Sequence, residues 1–176
     1  MILVFRVKKI TMAESFSFDV VSDFDRQELV NTLDQVKIEI SQLYDLKGTD
    51  TTVDLDKENI FINTNSELTL NAVNDIIRQK ALKRNLSLKI FEYGNFEIVS
   101  GNKVKQTIIL KQGIKQEIAK KISKNIREQI KKINVSINGE TLRVSSKSKN
   151  DLQLAIKLVS DLEESLNIPL KANNFR

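Results

Sequence analysis

What most narrows the fold of this chain is an order of elements that occurs twice. Phe16, Phe18 and Val20 alternate with Ser17 and Asp19, the period-two pattern of a half-buried strand. Ser22-Asp23-Phe24-Asp25 offers helix-starting side chains, and Leu29, Leu33, Val36, Ile40 and Leu43 follow at steps of three and four, the stripe of an amphipathic helix. Strands near Thr51–Leu55 and Asn59–Asn63 flank the turn Asp56-Lys57-Glu58. Ser66 can cap a second helix, with its stripe at Leu70, Val73, Ile77 and Ala81, before Leu86–Ile90 alternates again. Tyr93 to Asn102 holds Gly94 and Gly101, two of only five glycines, and reads as a linker.

The order then begins again. Lys103–Leu110 reads as a strand, Gly113 opens a helix running to about Lys132, and Asn134–Ile137 and Leu142–Val144 flank Asn138-Gly139, a pair that favours a type I′ hairpin. Ser148 and Asp151 form a capping box for a last helix with its stripe at Leu152, Ala155, Ile156, Val159 and Leu166; Pro169 ends it and a short strand follows from Leu170. Strand, helix, strand, strand, helix, strand, twice over, predicts an α+β protein of two tandem ferredoxin-like βαββαβ repeats. Each is an antiparallel sheet covered on one face by two helices. The predicted domains are residues 12–99 and 100–176. Residues 1–11 are apolar first and basic after, the reverse of a secretory signal. With Met12 as a second plausible start, they read as a disordered upstream extension. With no run near the roughly 20 apolar residues of a membrane span, the expectation is a cytoplasmic protein that does not engage membranes.

Composition removes most catalytic chemistry. The 176 residues include no cysteine and no histidine. That excludes disulfides, thiol nucleophiles, Cys/His metal centres and any histidine base. Asp19, Asp23 and Asp25, and separately Asp50, Asp54 and Asp56, are close enough to suggest a metal. They sit at a helix start and around a hairpin without the glycine and distal glutamate of a calcium loop, so no metal site is expected. No phosphate loop and no Gly-x-Gly-x-x-Gly segment is present. With no nucleophile–base pair to assemble, the chain is expected to bind rather than catalyse, without a cofactor.

Charge says what it could bind. Residues 1–99 carry 12 Lys/Arg against 16 Asp/Glu, whereas residues 100–176 carry 16 against 7. The basic half suggests a polyanionic partner. If the first and third strands of a repeat ran parallel at the centre of the sheet, their carboxyl ends would meet at one edge. In the second repeat those junctions are Lys111-Gln112-Gly113 and Ser145-Ser146-Lys147-Ser148-Lys149. Each leads into a helix start, where free N–H groups and the dipole favour an anion. Lys111, Gln112, Gly113, Ser146, Lys147, Ser148 and Lys149 are therefore candidate nucleotide-binding residues, with Arg143 or Arg127 placed to offer paired donors to guanine. The plain alternative is that Gly113 only starts a helix and Ser148 only caps one.

A second constellation lies on the helix after Gly113. Ile114, Ile118, Ile122, Ile126, Ile130 and Ile133 share one arc, and Lys120, Lys121, Lys124, Arg127 and Lys131 the opposite one. The basic arc either follows a nucleic-acid backbone or merely solubilises the helix. RNA-recognition domains of this topology stack bases on aromatics of the central strands. Here the second repeat has none on those strands, and the alternation around Phe16, Phe18 and Phe61 points these rings into the core.

Several segments resemble those of the bacterial YajQ family: Ser17–Ser22, Tyr44-Asp45-Leu46-Lys47-Gly48, Leu110–Ile114, Leu142–Gln153 and the C-terminal Asn174-Phe175-Arg176. The likeness covers Met12 to Arg176. It implies two ferredoxin-like repeats, open to exchange of their first strands, and a nucleotide-binding protein with no known catalysis. Members are described as effectors of cyclic di-GMP acting through transcription regulators, and as binders of other nucleotides or RNA. The partners implied are cyclic di-GMP, GTP or ATP, then RNA, then a transcription regulator. Exchange of first strands would separate Lys111 from Lys147 and move the pocket to the domain interface.

Overall fold

A computed structural model describes residues 15–176; the predicted upstream extension lies outside them. β1 (Phe16–Val21), α1 (Arg26–Gln42), β2 (Thr52–Leu55), β3 (Asn59–Thr64), α2 (Glu67–Lys83) and β4 (Phe91–Val99) make up the first repeat. β5 (Lys103–Leu110), α3 (Gln116–Gln129), β6 (Asn134–Asn138), β7 (Thr141–Ser146), α4 (Lys149–Leu166) and β8 (Lys171–Asn173) make up the second. The helix starts follow the side chains expected of them. Asp25 accepts the N–H groups of Gln27 and Glu28, Ser66 that of Thr69, and Ser148 that of Asp151. α4 ends before Pro169, at Asn167, which takes the left-handed conformation at φ 49°.

The strands form two antiparallel four-stranded sheets, ordered β2-β3-β5-β4 and β6-β7-β1-β8. Each is the ferredoxin-like order with its first strand taken from the other repeat: β5 sits in the first sheet and β1 in the second. The boundary near residue 100 therefore divides the sequence but not the sheets.

A short turn accounts for the exchange. The segment read as a linker is in fact β4, and the single helical turn Leu88–Ile90 replaces the strand expected at Leu86–Ile90. β4 runs into β5 through Ser100–Asn102, with Gly101 at φ 78° and Asn102 at φ 56°, and the two strands pair as a hairpin. Closing so short a loop costs little chain entropy, which favours pairing β5 with its chain neighbour β4. Gly94 looks like a breaker but marks a bulge, where a Cβ would lie 2.8 Å from the Thr107 carbonyl oxygen.

Two crossovers result, residues 22–25 and 111–115, and they touch: the Gly113 N–H donates to the Ser22 carbonyl at 2.7 Å. One core gathers Leu29, Leu33 and Val36 of α1 with Val73 and Ile77 of α2 and Ile60, Ile62 and Ile108 of the sheet. The other packs Phe18 and Val20 against Ile122 and Ile126 of α3, Leu142 and Val144 of β7, and Ala155 and Val159 of α4. The isoleucine arc of α3 faces this second core as its periodicity predicts.

The central strands of each sheet are antiparallel, not parallel as the sequence argument assumed. β1 runs against β7 and β5 against β3, so each exchanged strand is antiparallel to its central neighbour. Their carboxyl ends consequently lie at opposite edges of the sheet. Phe61 also departs from expectation. It pairs with Thr107 on the open face of the first sheet and is exposed, while its neighbours Ile60 and Ile62 fill the core.

Candidate functional site

At the edge of the second sheet where β7 ends, Ser146 pairs with Phe16 and Ser145 with both Ser17 and Asn134. The chain leaves β7 through Lys147, reaches the Ser148 cap and enters α4; alongside it, Lys131 and Lys132 turn the corner from α3 into β6. Between the two corners is a hollow of about 560 Å³, lined by Lys131, Lys132, Lys147, Ser146, Ser148 and Asp151 among others.

Ser146 ties the hollow together. Its hydroxyl is buried, accepts the Ser148 N–H at 3.1 Å, and lies 3.1 Å from the Lys132 carbonyl and 3.4 Å from an Asp151 carboxylate oxygen, both acceptors for its single proton. This side chain fixes the α3–β6 corner against the start of α4 and is not free for a ligand. Ser148 spends a lone pair on the Asp151 N–H at 3.2 Å but keeps its hydroxyl proton to donate. The N–H groups of Lys149 and Asn150, first in α4, have no carbonyl four residues back within the helix. Three lysines thus line one small space with a single acidic residue, beside the start of α4, a balance that suits a phosphate group.

The other candidate residues are spread out. Lys111 lies at the far end of α4, where its ammonium donates to the Asn167 carbonyl at 2.9 Å. The eighteen residues of α4 separate it from the hollow by about 27 Å at 1.5 Å per residue. Gln112 is exposed at the crossover. Gly113, at φ 77°, has given its N–H to Ser22, and the Glu140 carboxylate occupies the space a Cβ would take, 2.6 Å away. An acid pressed against this backbone repels an anion. The two junctions therefore do not converge.

Arg143 is committed to Asp19 through two parallel hydrogen bonds of 2.8 and 3.1 Å. The guanidinium holds the Asp19 carboxyl below its usual range, against the opposing effect of burial and with help from Asn174. The Nε–Nη2 edge of the guanidinium is thus taken by Asp19, and the Nη1 side is the part left to meet another group. Arg127 donates to the Val135 carbonyl. Lys120, Lys121, Lys124 and Arg127 are exposed on α3, with Lys124 3.8 Å from Glu128; Lys131 has left the helix and belongs to the hollow. Lys149 lies over the Phe16 ring, 4.7 Å from its centre.

The acidic groups have local roles. Asp25 caps α1, Asp19 pairs with Arg143, and Asp56 accepts the N–H groups of Glu58 and Asn59, which lower its pKa. Among the described residues no group of three acidic side chains is placed to hold a metal ion, and no helix is long and apolar enough to cross a membrane. Sequence reasoning missed Lys132 as a wall of the hollow. The available signal was the Lys131-Lys132 pair just before a strand, in the corner facing the strand end at Ser146.

Residues 16–176 match the model of the family described as nucleotide-binding protein YajQ-like. A nucleotide-binding protein of Prochlorococcus marinus strain MIT 9301 is 91% identical over 165 residues, which are 94% of this chain and all of that protein. A second, from strain MIT 9515 of the same species, is 79% identical over the same share of each chain. A nucleotide-binding protein of Synechococcus sp. strain CC9605 is 53% identical, again over 94% of this chain and its own whole length.

Proposed function

The chain belongs to the YajQ-like family, and from that premise we propose that it is a non-enzymatic nucleotide-binding protein. Its phosphates sit in the hollow between the α3–β6 corner and the start of α4. The supporting observation is that Lys131, Lys132, Lys147 and the Ser148 hydroxyl line one space opposed by a single carboxylate, Asp151. The favoured ligand is a guanine dinucleotide such as cyclic di-GMP, with GTP and ATP as alternatives, and the bound protein acts through a protein partner such as a transcription regulator. Calorimetric titration of cyclic di-GMP, GTP and ATP tests this with the native protein and Lys147→Ala. The reading requires a weaker affinity in the variant; an unchanged binding isotherm removes the site.

A second reading is favoured by the exposure of Lys120, Lys121, Lys124 and Arg127 on one helix: RNA lies along α3. It expects affinity to fall with salt at a log–log slope of about 0.7 per contacted phosphate of a single strand. Reversing the charges of Lys120, Lys124 and Arg127 should abolish RNA binding and spare the titration of mononucleotides.

A further inference from the structure

Beside the hollow, on the other flank of the first turn of α4, lies a groove of about 410 Å³. Its walls include Phe16 and Phe175, the apolar Leu152, and the polar ends of Lys149, Gln153 and Arg176. The two spaces adjoin. Ser15, Ser148 and Asp151 face the hollow, and their chain neighbours Phe16, Lys149 and Leu152 face the groove.

The groove is built on a fixed floor. The Ser17 N–H donates to the Arg176 carbonyl and the Arg176 N–H to the Ser17 carbonyl, both at 2.9 Å, so the C-terminal segment is stitched to β1. Asn174 adds a 3.1 Å bond to Asp19. The Phe175 ring lies 6.0 Å from the buried Phe18 ring at an angle of 32°, yet the residue is 64% exposed. One side of the ring is anchored, and much of its surface is left to solvent. An exposed aromatic held by a stitched backbone, in a groove that Lys149 and Arg176 also line, offers a stacking platform.

We propose that this groove takes the base of the nucleotide whose phosphates occupy the adjoining hollow, with Phe175 as the stacking face; the assignment rests on the reading of the hollow given above. The polar groups also choose among bases. The Lys149 and Arg176 side chains can only donate, and the Gln153 amide can do either. Guanine presents two acceptors, O6 and N7, on one edge, where adenine presents an acceptor and a donor. Two donor-only side chains match guanine's pair of acceptors, while Gln153 can meet either base, so the preference for guanine rests on Lys149 and Arg176.

The test is calorimetric titration of GTP, ATP and inorganic tripolyphosphate against the native protein, Phe175→Ala, Phe175→Leu and Lys147→Ala, with the melting temperature of each variant recorded. Phe175→Leu keeps an apolar contact with Phe18 while removing the aromatic face. Both Phe175 variants should weaken GTP about fivefold to 150-fold, the range that base stacking supplies, and leave tripolyphosphate unaffected. GTP should bind more tightly than ATP. Unchanged GTP affinity in both Phe175 variants, with Lys147→Ala weakening GTP and tripolyphosphate alike, overturns the base site and leaves the phosphate site standing. Tripolyphosphate binding the native protein as tightly as GTP also overturns the base site. If Lys147→Ala changes neither ligand, the reading of the hollow is the part that fails.

Discussion

Phe18 stands eighteenth in the chain, yet its side chain is wholly buried in the core formed by α3, α4 and β7. Phe18→Ala should therefore damage the lobe made mostly of residues 114–173, not the helices that follow Phe18 in sequence. Truncating a fully buried phenylalanine typically costs about 3–5 kcal/mol. Here it also removes the ring contact with Phe175. Native-state hydrogen exchange with site resolution is the assay, because it reads the opening free energy of each lobe separately. A loss of about 3 kcal/mol corresponds to roughly a 150-fold faster exchange through opening of that lobe. The acceleration should appear in α3, α4, β6 and β7 and be far smaller in α1 and α2. Ile108→Ala gives the mirror experiment: Ile108 is fully buried in the other core although it lies in β5, at the start of the second repeat. Its effect should fall on α1 and α2. If Phe18→Ala accelerates exchange in α1 and α2 while α3 and α4 stay protected, the exchanged topology is refuted. Equal acceleration in both lobes refutes the premise that the two cores open independently.

Gly113→Ala should lower the melting temperature by about 2–8 °C, from about 1–2 kcal/mol of left-handed strain at φ 77°. Combining it with Glu140→Ala, which clears the space at the Cβ, should recover only part of the loss. Asp19 is held below its ordinary pKa by Arg143, so its charged form contributes stability that is complete above about pH 4 and disappears as the pH falls through the lowered value. Asp19→Asn should therefore be less stable than the native protein in urea at about pH 6, with the difference shrinking as the pH falls below about 4; a difference that does not shrink in acid contradicts the pairing. Ser146→Ala leaves the Ser148 N–H without its acceptor. It should cost about 1–3 kcal/mol in thermal unfolding and weaken phosphate binding in the same variant, because the two corners of the hollow lose their tie.

The parts of the fold that were legible in the sequence depend on local chemistry. Asp25, Ser66 and Ser148 mark helix starts because a side-chain oxygen beside an unpaired N–H acts within one turn. The isoleucines of α3 mark its buried face because period and burial are the same fact for a helix on a core. The errors come where partners are far apart in sequence. Gly94 reads as a break, since nothing local says that Thr107 will approach it across a hairpin. Phe61 alternates as a strand residue should, but which face is covered depends on where the helices land, so the inward assignment failed there and held for Phe18. The convergence of Lys111 with Lys147 rested on β5 and β7 lying side by side in one sheet, and the exchange puts β5 in the other. The hollow is a different grouping from the one the sequence suggested: Lys147 and Ser148 line it with Lys131 and Lys132, which the β6–β7 hairpin brings to the same edge.

The exchange of strands also redistributes charge, and this bears on which polyanion the protein suits. The sequence concentrates cations in residues 103–132, but the fold divides that run between two sheets. Lys103 and Lys105 go with β5 to the acidic half, where Lys103 lies 3.9 Å from Asp50 and Lys105 pairs in register with Glu97. Lys111 is absorbed at the carbonyl end of α4. What remains of the run on the second lobe is Lys115, the exposed side of α3, and Lys131 and Lys132, which line the hollow with Lys147. An extended duplex would gain from a continuous basic face, since each neutralised phosphate releases counterions and adds to affinity. A single nucleotide needs only the cluster at the start of α4, so the proposed phosphate site does not depend on the rest of the basic face.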